Sequence, residues 1–238
     1  MTTIMLNAHT RTGSELLLAI LRSKGYYTLG EIVTNSVPQE YITLNRQDSN
    51  YQAAYFNQFN RGLRYQLNDT NVPKAVKVMI NHLHVIQPYI YQYCTDRILL
   101  WRKDMFASQI SHQIALARGS WIRWGNNQPK EWPADQEPDT ITLDTTDFKQ
   151  RLEWRIRDWQ DLLANLPHYD LVTEYQEVVA LANNNPNAHW TRPSAPATVT
   201  NIDQLKEVYH QYAPAIDSIN AQLQELTTSG PTLDTFLA

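Results

Sequence analysis

The chain of 238 residues contains one cysteine, Cys94, so an internal disulfide and any multi-cysteine zinc site are excluded. That lone thiol reads as a buried group in a reducing compartment. No apolar run approaches the length a bilayer-spanning helix needs. The N-terminal residues lack a basic stretch followed by an apolar segment and a cleavage site. The expectation is a cytoplasmic protein with no stable membrane insertion. An excess of positive charge is missing too: the net charge of −4 argues against nucleic acid as a partner. Any site for an anion must therefore be a local concentration of Arg and Lys.

What is present is a globular composition, with 42% hydrophobic and 18% charged residues. The length suits one sizeable domain, 1–238, better than two. "TIMLNA", "KAVKVMI", "DRILLWR" and "YDLVTEY" are β-favouring runs, and "YYTLGEIV" is extended around Gly30. Helical patterns alternate with them. "SELLLAILRSKG" ends on Gly25, and "DMFASQISHQIALAR" starts at Asp104. "DFKQRLEWRIRDWQDLLANL" carries an inner stripe of Phe148, Leu152, Ile156, Trp159 and Leu163. This alternation predicts an α/β fold, a three-layer sandwich with a mainly parallel central sheet flanked by helices. Two long loops rich in Pro, Asn and Trp, 119–139 and 183–201, break the rhythm and read either as disordered links or as functional lids, the first over an acceptor and the second over a nucleotide.

The most informative stretch is "HTRTGSELLLAIL", 9–21, where a polar loop with one glycine runs from a strand into an apolar helix. The first amides of a helix have no intrahelical partner, and its dipole favours negative charge there. Gly13 permits a close turn around an anion, Ser14 offers a hydroxyl, and Arg11 supplies a permanent planar cation. The same residues also fit an ordinary strand-to-helix turn capped by Ser14. The Gly-Lys-Ser/Thr of a triphosphate loop is absent, as is an apolar strand ending in an Asp that would hold magnesium. A sulfuryl group carries less charge than a phosphoryl group, so hydrogen bonds and one or two cations suffice for it. The loop tilts toward sulfuryl transfer.

A second anchor lies in "ILLWRKDMFASQIS", 98–111, where a strand ends in Arg102 and Lys103 and Ser111 follows on the next helix. Together the two stretches resemble the sulfotransferases that use 3′-phosphoadenosine-5′-phosphosulfate (PAPS), nearest the bacterial and viral carbohydrate branch of the trehalose type. The resemblance implies a P-loop-like architecture, PAPS as co-substrate and no metal requirement. It implies that Arg11, Thr12, Gly13 and Ser14 bind the 5′-phosphosulfate, and that Arg102 or Lys103, with Ser111, binds the 3′-phosphate. "VTEYQEVV" is similar to the family's strand-to-helix Tyr-Glu-Asp-Leu element, with Gln176 and Glu177 departing from it. "TRPSAPATVTNIDQLKE" resembles the loop that folds over the nucleotide, making Arg192 and Ser194 phosphate candidates. Glu15 stands where many relatives have Thr.

Transfer to an alcohol requires a base. Glu31 in "TLGEIV" lies where the trehalose-type relatives carry a catalytic glutamate, and a carboxylate partly removed from water titrates nearer neutrality. His82 and His84 of "NHLH" are the rival bases, since the family's cytosolic branch uses a histidine near this position. Trp121, Trp124 and Trp132 of the 119–139 loop either stack on an acceptor's sugar rings or pin the loop to the core. The expected partner is thus a glycan or other small acceptor. Two further readings stay open: a non-catalytic module that binds PAPS or adenosine bisphosphate, and a small-molecule kinase with a degenerate loop.

Overall fold

The computed structural model describes residues 2–31, 72–81, 91, 93–117, 124–125, 128–129, 140–185, 187–188 and 197–238. The expected sheet is there. Strands β1 (Thr3–Ala8), β2 (Tyr27–Glu31), β3 (Lys74–Met79), β4 (Asp96–Trp101) and β8 (Leu171–Glu174) form a five-stranded sheet in the order β2-β3-β1-β4-β8. All its neighbours run parallel. Between β4 and β8 lie two short strands, β5 (Trp124–Gly125) and β6 (Gln128–Pro129), which pair antiparallel, and then β7 (Thr140–Ile141). The last strand, β9 (Thr198–Val199), pairs parallel with β7.

Each β1 side chain goes to the face opposite its neighbour's, as strand geometry requires. Met5 joins Val76, Val78, Leu99 and Trp101 on one face. Covering that face are helices α2 (Met105–Ala117), α3 (Thr145–Ala164), α5 (Ile202–His210) and α6 (Ala213–Ser229). Ile4, Leu6 and Ala8 lie on the other face, under α1 (Ser14–Ser23), α4 (Tyr175–Asn183) and α7 (Leu233–Leu237). Helices on both faces of one sheet make a three-layer sandwich. Because both faces of the central strands are covered, buried apolar residues run continuously along them rather than alternating, with Asn7, Lys74 and Lys77 as buried polar exceptions.

Local signals explain the boundaries. Asp104 caps α2 by accepting the Ala107 amide at 2.8 Å, and Asp144 caps α3 by accepting that of Asp147 at 2.9 Å. After α1 the chain turns at Gly25, whose φ of 90° costs a glycine little. The α3 stripe buries Phe148, Leu152, Ile156 and Trp159 as expected, but Leu162 takes the fully buried place given to Leu163, which is only partly buried. Pro214 stands in the first turn of α6, where its missing N–H costs nothing. The indole of Trp101, buried at the end of β4, donates to Thr227 Oγ1 at 2.8 Å and ties α6 to the sheet.

β1 lies between β3 and β4, so the strand order reverses around it. In open parallel sheets the crevice at the carboxyl ends of strands beside such a reversal is where ligands bind. The loop after β1 opens into it.

Candidate functional site

Three segments meet at this edge: 9–13 after β1, 102–104 after β4, and the junction of β8 with α4. Arg11 is the one non-glycine with positive φ, 60°, among the described residues. That left-handed conformation costs an L-residue about 1–2 kcal/mol, so the surroundings must hold it. They do so from two sides. The Arg11 Nε donates to Ser111 Oγ at 2.9 Å. The Arg11 carbonyl accepts from Ser108 Oγ at 3.3 Å and from the Arg102 guanidinium at 3.4 Å.

Arg155 of α3 lies beneath the loop with only 2% of its surface exposed. One terminal nitrogen donates to Ser108 Oγ at 2.6 Å. The other reaches Thr10 Oγ1 at 2.7 Å and the Thr10 carbonyl at 3.3 Å. Arg102 lays its guanidinium carbon 4.7 Å from the centroid of the Tyr175 ring, a cation–π contact. The same ring also meets Gly13, where an added Cβ would stand 2.4 Å from Tyr175 Cδ2. Gly13 has φ 89° and is the N-cap of α1, with no side-chain cap for the helix's first amides. The glycine is thus required by its backbone and by Tyr175.

Arg11, Arg102 and Arg155 form no ion pair with a carboxylate among the described residues. The acids nearby are otherwise engaged. Asp104 caps α2, while Glu174 accepts the Lys103 amide at 3.0 Å and the Gln176 amide at 2.6 Å. Asp158 receives His9 Nε2 at 3.1 Å. The cations therefore act on one another. Burial and then the charge of Arg102 depress Arg11, and burial pushes Arg155 down to about 9, with Asp158 opposing and Arg102 adding to the fall. Both remain charged at neutral pH.

Burial, reinforced by the same field, keeps two histidines neutral. Burial and then Arg155 hold His9 well below its ordinary pKa. Its Nδ1 accepts the Thr10 amide at 2.9 Å, which assigns the proton to the Nε2 facing Asp158. His112 on α2 is lowered to about 3, by burial first and then by Arg155, Arg151, His9 and Arg11. An anion entering here would relieve repulsion among the guanidiniums and meet the positive end of α1.

The edge brings together many of the residues singled out by sequence. Arg11, expected in one clamp, and Ser111, expected in the other, share a hydrogen bond, so the two anchors meet in one cluster. Of the two cations after β4, Arg102 turns to the loop and Lys103 is exposed. Thr12 is buried and donates its hydroxyl to the His9 carbonyl at 2.8 Å, a contact that shapes the turn. Ser14 is the first helical residue rather than the cap. The Glu15 carboxylate meets Lys77 of β3 at 3.2 Å. Glu31 is the last residue of β2, beyond a bulge at Gly30 where the register against β3 shifts.

His82, His84, Arg192, Ser194, Trp121 and Trp132 lie outside the described residues. Cys94 is half-buried rather than fully buried, and burial pushes its thiol up to about 12. No group of His, Cys, Asp or Glu among the described residues could hold a metal ion. No helix among them is long and apolar enough to cross a membrane.

Sequence reasoning missed Arg155, Ser108, Thr10, His9 and His112. One signal was available for Arg155, which stands three residues after Leu152 and four before Trp159. A charged residue within an apolar stripe is buried with partners or it ends the stripe. The others carry no sequence signature, because their roles follow from the packing of α2 and α3 against the loop.

Compared with family models, curated proteins and solved structures, the chain matches none.

Proposed function

We propose that this protein is a PAPS-dependent sulfotransferase that moves a sulfuryl group to a hydroxyl of a carbohydrate or another small acceptor. The observation that carries the proposal is the set of three guanidiniums at the carboxyl edge of a parallel sheet, without a carboxylate partner among the described residues. A cation taken out of water without a carboxylate at hydrogen-bond distance is costly to hold, and an anion entering the edge would offset that cost. The uncapped N-terminus of α1 adds amide donors at the same place. A nucleotide carrying several phosphate oxygens suits such a site, and Tyr175 with Arg102 offers a flat face beside it.

PAPS, when bound, supplies the sulfuryl group. In the transfer the acceptor oxygen forms a bond to sulfur as the bond from sulfur to the bridging oxygen breaks. The acceptor's proton passes to a base. Charge grows on the departing phosphate, and Arg11, oriented by Ser111, is the cation suited to meet it. Glu31 at the end of β2 is the candidate base, with His82 and His84 as rivals.

The test is a screen of labelled PAPS against sugars, lipids and phenols, run beside calorimetric titration with PAPS, adenosine 3′,5′-bisphosphate and ATP. Label appearing on an acceptor supports transfer, and its loss in Arg11→Gln ties it to this edge. Bisphosphate binding with no transfer to any acceptor favours the non-catalytic module. Binding of ATP that requires magnesium, with none of PAPS, overturns the proposal. Glu31→Gln and His82→Asn, assayed separately, identify the base.

A further inference from the structure

We infer that Arg155 is the positioning residue of this site: it acts through Thr10 and Ser108 to hold Arg11 in its left-handed conformation. The inference deepens the anion-site reading above and rests on it for the binding arm of its test. The fork of Arg155 is divided between two elements. One nitrogen holds Ser108 on α2 at 2.6 Å, and the other holds the hydroxyl and carbonyl of Thr10 in the loop. Ser108 in turn donates toward the Thr10 and Arg11 carbonyls at 3.2 Å and 3.3 Å. The peptides on both sides of Arg11 are therefore fixed at their carbonyls, and the φ of 60° follows from that fixation rather than from Arg11 itself.

The wiring also explains why an arginine is needed. Two parallel donor groups on a rigid plane span two elements at once, which a lysine ammonium on a flexible stem does not do. His9 closes the other side of the loop, anchored to Asp158 of α3 one turn after Arg155. The half-buried Arg11 side chain then starts from a backbone locked to α2 and α3. Ser111, one turn after Ser108, receives its Nε.

The experiment uses the full chain and the variants Arg155→Lys, Arg155→Gln, Ser108→Ala and Thr10→Val. Two readouts are taken on each: the NMR signal of the Arg11 Nε–H without ligand, and calorimetric affinity for adenosine 3′,5′-bisphosphate. The expected result is a sharp Arg11 Nε–H signal in the parent protein that broadens or shifts in Arg155→Lys and Ser108→Ala. Affinity should fall about tenfold, equivalent to about 1.4 kcal/mol, in both Arg155 variants, with lysine giving no rescue. Combining Ser108→Ala with Arg155→Lys should add little to either alone, because both act on one element.

Rescue by lysine would show that the charge and not the fork matters, and would overturn the inference. So would an unchanged Arg11 signal in folded Arg155→Lys or, if that variant fails to fold, in Ser108→Ala. A parent protein that binds no bisphosphate removes the anion-site reading, while the signal without ligand still decides the role of Arg155.

Discussion

Replacing Gly13 with alanine asks whether the turn before α1 is shaped by backbone conformation, by Tyr175, or by both. The new methyl would lie 2.4 Å from Tyr175 Cδ2 and 2.6 Å from Cε2, where carbon contacts relax only near 3.5–4.0 Å. Overpacking of that kind costs about 1–3 kcal/mol. The φ of 89° adds about 1–2 kcal/mol for any L-residue. A total near 3 kcal/mol lowers the melting temperature by roughly 6–12 °C in a chain of this size. Thermal and urea unfolding should be measured on the parent, Gly13→Ala, Tyr175→Ala and the double variant. In the double variant the steric part vanishes and the backbone part stays, so the pair should couple favourably by about 1–3 kcal/mol. A Gly13→Ala protein as stable as the parent would refute the reasoning, and a coupling near zero would remove Tyr175 from it.

Three other outcomes are expected. Arg102→Gln should weaken adenosine bisphosphate binding about tenfold in calorimetry. Its ligand-free melting temperature should change little, since the repulsion relieved on Arg11 and Arg155 offsets the loss of the carbonyl hydrogen bond and the Tyr175 contact, and a large fall would show that the contacts outweigh the repulsion. His112 is lowered to about 3 when folded and lies near 6.5 when unfolded, so the unfolded chain binds the extra proton between those values. Its stabilising contribution is complete above the unfolded value and is lost as pH falls from about 6.5 toward 3, at no more than about 1.4 kcal/mol per pH unit. His112→Gln should flatten that acid limb in urea midpoints taken between pH 7 and 4, and an unaltered slope would refute the assignment. Trp101→Phe removes the donor to Thr227 and leaves a cavity where the fully buried indole sat, so in urea unfolding it should cost more than the hydrogen bond's own ~1 kcal/mol, with anion affinity unchanged.

The sheet was legible because its residues obey one local rule. Strands covered on both faces carry consecutive apolar residues, and "IML", "AV" and "ILLW" supply them within "TIMLNA", "KAVKVM" and "DRILLW". Asp104 and Gly25 marked helix ends for equally local reasons. The site was only half legible. Arg11, Arg102 and Ser111 stood out as chemistry beside strand ends, yet nothing along the chain said that Arg11 and Ser111 would touch. That contact depends on how far α2 leans over the loop, a matter of packing between segments about a hundred positions apart. Arg155 hid in plain view within the α3 stripe, since its partners come from two other elements. Gly13 was read as making room for an anion, whereas the space its missing Cβ leaves belongs to Tyr175.

The cations at this edge come from residues 11, 102 and 155, which only folding brings near one another. Laboratory media then cease to be neutral bystanders. On the proposed reading of the crevice, sulfate and phosphate should stabilise the native chain by an amount growing with the logarithm of concentration, whereas chloride at equal ionic strength should merely screen. Both oxyanions also favour any compact chain by being excluded from its surface, so the crevice's share is the part of the difference between melting curves that Arg11→Gln abolishes.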